Sequence, residues 1–118
     1  MKSLSNHQFE REHTDFVLKT IKVVLKEVLG EKAFRKMIRV MRENYSLELD
    51  DLPEKTEAFS WVLREILGEG SIIIEDLIVE NLYTSLGLAL TWKKDFSLSD
   101  YIAELPSTYR PVNQQLRH

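Results

Sequence analysis

Two stretches of eight residues repeat along this chain, and the repeat constrains the fold more than any other feature. The first is Val24-Leu25-Lys26-Glu27-Val28-Leu29-Gly30-Glu31, and the second is Val62-Leu63-Arg64-Glu65-Ile66-Leu67-Gly68-Glu69, 38 residues later. At the same offset Met41 falls on Val79 and Tyr45 on Tyr83, so the register continues beyond each glycine. A glycine after an amphipathic run is typical of a helix end, and a glutamate after it favours a new helix start. Each copy is therefore predicted to be an αα-hairpin.

The first unit, about 16–45, shows helical periodicity on both sides of Gly30. One face of its first helix holds Val17, Leu18, Ile21, Val24, Leu25, Val28 and Leu29. One face of its second helix, from about Glu31 to Tyr45, holds Ala33, Phe34, Met37, Ile38, Met41 and Tyr45. Spacings of three and four residues predict amphipathic helices. The sequence leaves open whether the first helix begins near Asn6 or is interrupted around Thr14 and Asp15.

The second unit, about 55–87, follows an acidic connector, 46–54, in which Pro53 forbids a continuous helix. Its first helix begins near Thr56 and its second runs from Ser71 to about Leu86. Apolar residues surround most of that second helix, which predicts burial on several sides at the bundle centre. The residues expected to be buried there are Ile74, Ile78, Leu82 and Leu86, with Ile73 and Leu77 left over as a dimer face or docking face.

A short helix is predicted after Gly87, over residues 97–105. Ser97 and Asp100 have the spacing of a capping box, and Pro106 ends the segment. So short a helix needs to dock on the body, through Leu98, Tyr101, Ile102 and Leu105. The tail 107–118 is predicted to be loose. The expected fold is a single all-α domain, 1–118: a four-helix bundle of two repeated hairpins plus a short C-terminal helix.

Composition narrows the classes of function. The 118 residues include no cysteine, which excludes disulfides, a thiolate nucleophile and cysteine-based zinc sites. The net charge of −3 does not draw the whole molecule to nucleic acid or an anionic membrane. The polar stretch Met1 to His13 lacks the apolar core of a signal peptide, and no stretch has the length of a transmembrane helix. These features predict a cytoplasmic protein.

The residues that could support catalysis are poorly placed. The three histidines are His7, His13 and His118, and the first two are six residues apart, on different faces of any helix. Glu75, Asp76 and Glu80 lie on one helix without a histidine beside them, which is typical of a solvated helix edge. We therefore predict no enzymatic activity, no catalytic residue, no cofactor and no metal site.

A basic stripe on the second helix is one candidate binding surface. Arg35, Lys36, Arg39 and Arg42 form it, and segment 32–45 has a net charge of +4. Nucleic acid binding is one interpretation. The others are a solvated face, or a face paired with the acidic segment 69–92, which contains no lysine or arginine. Helices of opposite charge at equivalent repeat positions could pair within the fold or between chains.

Trp61, with Arg64 and Glu65 beside it, is the strongest candidate for a protein-binding anchor. Helical geometry places it opposite Phe59 and Leu63, on the side away from the core. Tryptophan is enriched at interface centres and also at core edges. The sequence leaves two interpretations: a partner-binding surface, or an indole covered by the connector or the C-terminal segment.

Phe9, Phe16 and Val23 are spaced by seven residues and form a further apolar stripe on the first helix. This spacing is typical of a seam for another chain. The alternative is that the chain's own helix 97–105 covers the stripe.

The two Leu-Gly hairpins, closed by Leu82-Tyr83-x-x-Leu86-Gly87-Leu88, resemble the small archaeal output domains of Nitrosopumilus-type signalling proteins. The resemblance covers Phe16 to Leu88. It implies a non-enzymatic helical module with a signalling or adaptor role, and a partner of the KaiC-like, RecA-type ATPase class. The expected function is thus protein interaction, with or without homo-oligomerisation; the alternative is a nucleic-acid-associated regulator that uses the basic stripe.

Overall fold

The chain folds into five helices in a computed structural model that describes residues 2–106, with side chains described for 11–106. The helices are α1 (Lys2–Leu29), α2 (Glu31–Tyr45), α3 (Thr56–Leu67), α4 (Gly70–Ser85) and α5 (Leu98–Ala103). No strand occurs within 2–106, so the predicted all-α class is confirmed. The segment 107–118, predicted to be loose, lies outside the described residues, as do the side chains of His7 and Phe9.

The first helix is continuous through Thr14 and Asp15, which settles the question that the sequence leaves open. At about 1.5 Å per residue, α1 is roughly 42 Å long and outreaches α2, whose length is roughly 22 Å. The Thr20 hydroxyl donates to the Phe16 carbonyl at 3.0 Å, so a β-branched polar residue is satisfied inside the helix.

Both repeat glycines end a helix, as predicted, but not in the left-handed helical conformation. Gly30 has φ 86° and ψ 161°, and Gly68 has φ 62° and ψ −136°. Positive φ combined with an extended ψ is a region that only glycine enters without strain. Each turn therefore needs a backbone conformation with positive φ and extended ψ, which explains why glycine occupies both positions.

We expect Gly30→Ala to lower the free energy of unfolding by about 1–3 kcal/mol, because alanine is strained at φ 86° even though no atom crowds its Cβ. Gly70→Ala is the matched control. Gly70 lies in the first turn of α4 with open space around it and no positive φ, so alanine there changes stability by less than about 1 kcal/mol. Urea unfolding followed by circular dichroism measures both. Equal losses for the two variants would contradict the assignment.

Helix packing brings the two hairpins together along one side. α1 packs against α2 and α4, α3 packs against α4, and α5 rests on α3 and α4. The two hairpins are not packed equivalently, because α1 contacts α4 whereas the repeat-equivalent pair, α3 and α2, makes at most slight contact.

Residues of the connector help to fill the core. Ser46 ends α2 with φ 53°, and the Leu47 amide donates to the Met41 carbonyl at 3.0 Å, which closes the helix end. After a short 3₁₀ turn, Leu49–Asp51, the side chain of Leu52 is fully buried, as is nearly all of Leu47. The segment between α2 and α3 is 46–55, and it contributes side chains to the core rather than only joining the hairpins.

The C-terminal helix docks as expected, although it is shorter than the predicted 97–105. Ser97 Oγ accepts from the Asp100 amide at 3.1 Å, and an Asp100 carboxylate oxygen accepts from the Ser97 amide at 2.9 Å, completing the capping box. Its apolar side chains are buried on the body, namely Leu98, Tyr101, Ile102 and, just beyond the helix, Leu105. The main contacts of α5 are with α3 and α4 rather than with α1, which carries the stripe of Phe16 and Val23.

Helix α4 packs against α1, α3 and α5, so the predicted burial on several sides is confirmed. Ile74, Ile78 and Leu82 are buried as predicted, whereas Leu86 is half-buried. One side of the helix stays uncovered, and it includes Ile73, which the sequence predicts to be left over. Ile73 is 63% exposed and Ile72 52% exposed on that side.

Candidate functional site

Trp61 is the large aromatic residue that the fold leaves most open. Its side chain is 58% exposed, and Arg64 and Glu65 beside it are also exposed. The core side of α3 is completed by other residues, among them Phe59, Val62 and Leu63. The structure therefore places the indole on the outside, and the alternative that the connector or the C-terminal segment encloses it is wrong for the described residues.

The Trp61 ring contacts one aromatic neighbour. Tyr45, at the end of α2, meets it edge to face, with ring centroids 5.8 Å apart and an angle of 77° between the planes. This contact joins α2 to α3, two helices that otherwise make at most slight contact. Such a contact limits the motion of the indole without covering it, so the ring is presented to solvent in a defined orientation.

Glu75 of α4 lies half-buried beside the same side of α3. Burial raises the pKa of the Glu75 carboxyl, and the nearby Ser60 hydroxyl and Arg64 guanidinium oppose that rise. Ser60 Oγ makes no hydrogen bond of ordinary length within the described residues, so the three groups are neighbours rather than a closed network. A raised pKa in the folded state means that ionisation of Glu75 lowers stability as pH rises above the ordinary carboxyl value.

The basic stripe is exposed along its whole length. Arg35 pairs with Glu31 of its own helix, Nε to Oε2, at 3.3 Å. Lys36, Arg39 and Arg42 form no salt bridge with any side chain in 11–106. The interpretation that the stripe pairs with segment 69–92 inside the fold is wrong, because α2 packs on α1 and not along α4. The four cations are available to a partner.

Charge is divided between the two halves of the described chain. Residues 11–45 contain nine lysines and arginines against five acidic residues, a net charge of +4. Residues 46–106 contain four against thirteen, a net charge of −9. The modest total of −3 therefore conceals a basic first hairpin joined to a strongly acidic remainder.

Within the described residues, no three His, Asp or Glu side chains gather as metal ligands. Burial lowers the pKa of the His13 imidazole. None of the described helices is long and apolar enough to cross a membrane. What the surface presents is an exposed indole, exposed isoleucines and unpaired charges.

No known protein-family model, curated protein or solved structure matches the chain.

Three contributors to this surface were not identified from the sequence. Tyr45 and Glu75 belong to it through contacts between helices, which helical periodicity does not show. Ile72 lies in the first turn of α4 and is 52% exposed, although the apolar character of that helix predicts burial on several sides.

Proposed function

We propose that this protein is a non-enzymatic protein-interaction module whose partner docks on the Trp61 surface, defined as Trp61, Arg64 and Glu65 of α3 with Tyr45 of α2. The observation that carries the proposal is the 58% exposure of an indole that its own core does not use. Water-exposed tryptophan beside arginine is the composition of an interface centre.

The partner class that follows from the resemblance is a KaiC-like, RecA-type ATPase, in an archaeal signalling pathway. Nothing else names a partner, so such an ATPase is the first protein to test. The exposed Arg64 and Glu65 fit a mixed-charge rim around an aromatic anchor, as expected for association between proteins.

Trp61→Ala should weaken capture of the partner by about 30-fold, equivalent to about 2 kcal/mol, because truncation of a central interface tryptophan commonly has this effect. The thermal midpoint and helical circular dichroism should be nearly unchanged, since the ring contributes only one edge contact to the fold. Affinity for a purified KaiC-like ATPase is measured by titration calorimetry. A parallel capture experiment from nuclease-treated lysate tests whether the domain binds a protein other than this ATPase.

Trp92→Ala is the control, since Trp92 is also an exposed tryptophan, at 49%, with an edge contact to Tyr101. It should retain partner affinity within about threefold. If Trp61→Ala unfolds the domain, or if both variants capture the same proteins equally, the Trp61 surface is not the docking site.

The alternative is a nucleic-acid-associated regulator, and the single observation in its favour is the unpaired cations of α2. Against it stands the net charge of −9 on residues 46–106 of the same domain, which repels a polyanion. Protein interaction is the better-supported function.

A further inference from the structure

The outer sides of α2 and α4 occupy equivalent places in the two hairpins but differ in chemistry. At the repeat offset of 38 residues, Arg35, Arg39 and Arg42 correspond to Ile73, Leu77 and Glu80. We define the basic face as Arg35, Lys36, Arg39 and Arg42, and the acidic-apolar face as Ile73, Asp76, Leu77 and Glu80. Each domain therefore carries one face of each kind, on different helices.

The acidic-apolar face lacks a partner in the fold. Ile73 is 63% exposed, Leu77 is half-buried, and Asp76 and Glu80 are exposed between and beyond them. No lysine or arginine occurs from residue 65 to residue 92, and neither acid forms a salt bridge with a side chain in 11–106. A surface that binds here must therefore offer both apolar groups for Ile73 and positive charges for the carboxylates.

The basic face has those two properties. Arginine and lysine carry long apolar stems that cover hydrophobic surface while their charged ends reach acids. Lysines of α1 extend the positive surface: Lys19, Lys22 and Lys26 line a shallow depression along that helix, and Lys26 Nζ lies 5.3 Å from the centre of the Phe34 ring of α2. The basic face therefore matches the acidic-apolar face in charge and in the apolar area that it can cover.

We propose that the basic face of one copy binds the acidic-apolar face of a second copy, head to tail. In every pair of copies, one basic face and one acidic-apolar face remain free. Further copies can therefore add at both ends, which gives an open filament unless the geometry closes a ring. A second copy is the occupant that satisfies both faces at once. A nucleic acid would neutralise the basic face only, and it would leave Ile73 in water beside carboxylates that repel it.

Two substitutions at exposed positions separate the faces. Arg39→Glu reverses the charge at the centre of the basic face, and Ile73→Glu places a charge at the apolar centre of the other. The wild type should form larger assemblies as the protein concentration rises, and smaller ones as the salt concentration rises. Each variant should associate at least about tenfold more weakly than the wild type. Light scattering coupled to gel filtration measures mass, and circular dichroism checks the fold.

An equimolar mixture of the two variants is the decisive measurement. The Ile73→Glu copy retains the basic face and the Arg39→Glu copy retains the acidic-apolar face, so the mixture should form dimers and nothing larger. The only other contact in the mixture would join the altered basic face to the altered acidic-apolar face, and it carries both losses, so it should be the weakest of all. A mixture that stays monomeric, or a wild type that is monomeric at every concentration, overturns the proposal.

Two further outcomes are informative. Trp61→Ala should self-associate like the wild type, because Trp61 belongs to neither face, so the failure of this proposal and that of the proposed function are distinguishable. If a monomeric wild type instead binds a duplex or single-stranded oligonucleotide, and only Arg39→Glu abolishes that binding, the basic face serves nucleic acid and the head-to-tail contact is overturned.

Discussion

Replacing Tyr101 by alanine is expected to lower the free energy of unfolding by about 3–5 kcal/mol, the usual cost of removing a large buried aromatic side chain. Tyr101 holds α5 to the body although that helix has only six residues. Its ring lies within 5.0 Å of Phe96, 5.7 Å of Trp92 and 6.4 Å of Tyr83, measured between centroids. Its carbonyl also accepts from the Tyr83 hydroxyl at 3.0 Å. Urea unfolding monitored by circular dichroism gives the loss.

Tyr101→Phe is the matched control, because it keeps the ring and removes only the hydroxyl. That hydroxyl accepts from the Lys93 amide at 2.8 Å and donates to the Lys93 carbonyl at 3.3 Å. Its loss should cost about 1–2 kcal/mol. If alanine costs no more than phenylalanine, the packing of the ring does not hold α5 in place.

Leu52→Ala is expected to destabilise the domain by about 2–5 kcal/mol, as a core truncation does, although Leu52 lies in the connector between the hairpins. The side chain is fully buried. It enters the core beside Leu47, after the 3₁₀ turn that redirects the chain. Thermal and urea unfolding both measure the effect, and the slope of the urea transition should be unchanged if the native fold is retained.

Leu49→Ala provides the comparison within the same segment, because Leu49 is only half-buried. We expect it to cost about 1 kcal/mol or less. A connector that only joins the hairpins would tolerate both substitutions equally, and that result would contradict the core role of Leu52.

The repeat made the hairpins predictable because it reports a local requirement. Gly30 and Gly68 mark helix ends since no other residue adopts their φ and ψ without strain. The orientation of Trp61 was predictable for a similar reason, as it follows from the positions of Phe59 and Leu63 on the same helix. The capping pair Ser97 and Asp100 likewise lies within four residues. The residues of one helix or one turn were therefore enough to predict the helix ends, the orientation of Trp61 and the capping box.

Features that depend on how helices pack against one another were not predictable. The exposure of Ile72 reflects where α1, α3 and α5 lie around α4, whereas the exposure of its neighbour Ile73 was predicted from the sequence. Leu47 and Leu52 stand in a segment rich in acids and proline, so composition concealed their burial. The contact of Tyr45 with Trp61 joins residues 16 positions apart on two helices that scarcely touch otherwise.

Both tryptophans of the folded chain keep about half of their surface in water, 58% for Trp61 and 49% for Trp92. An indole that is already hydrated emits at nearly the same wavelength before and after denaturation, so intrinsic fluorescence is a weak reporter of unfolding here. The same exposure makes it a sensitive reporter of attachment, because burial under another molecule shifts emission to shorter wavelengths. With Trp92 replaced by alanine, Trp61 is the only tryptophan left. A shift of its emission maximum to shorter wavelengths then reports binding at the Trp61 surface rather than unfolding.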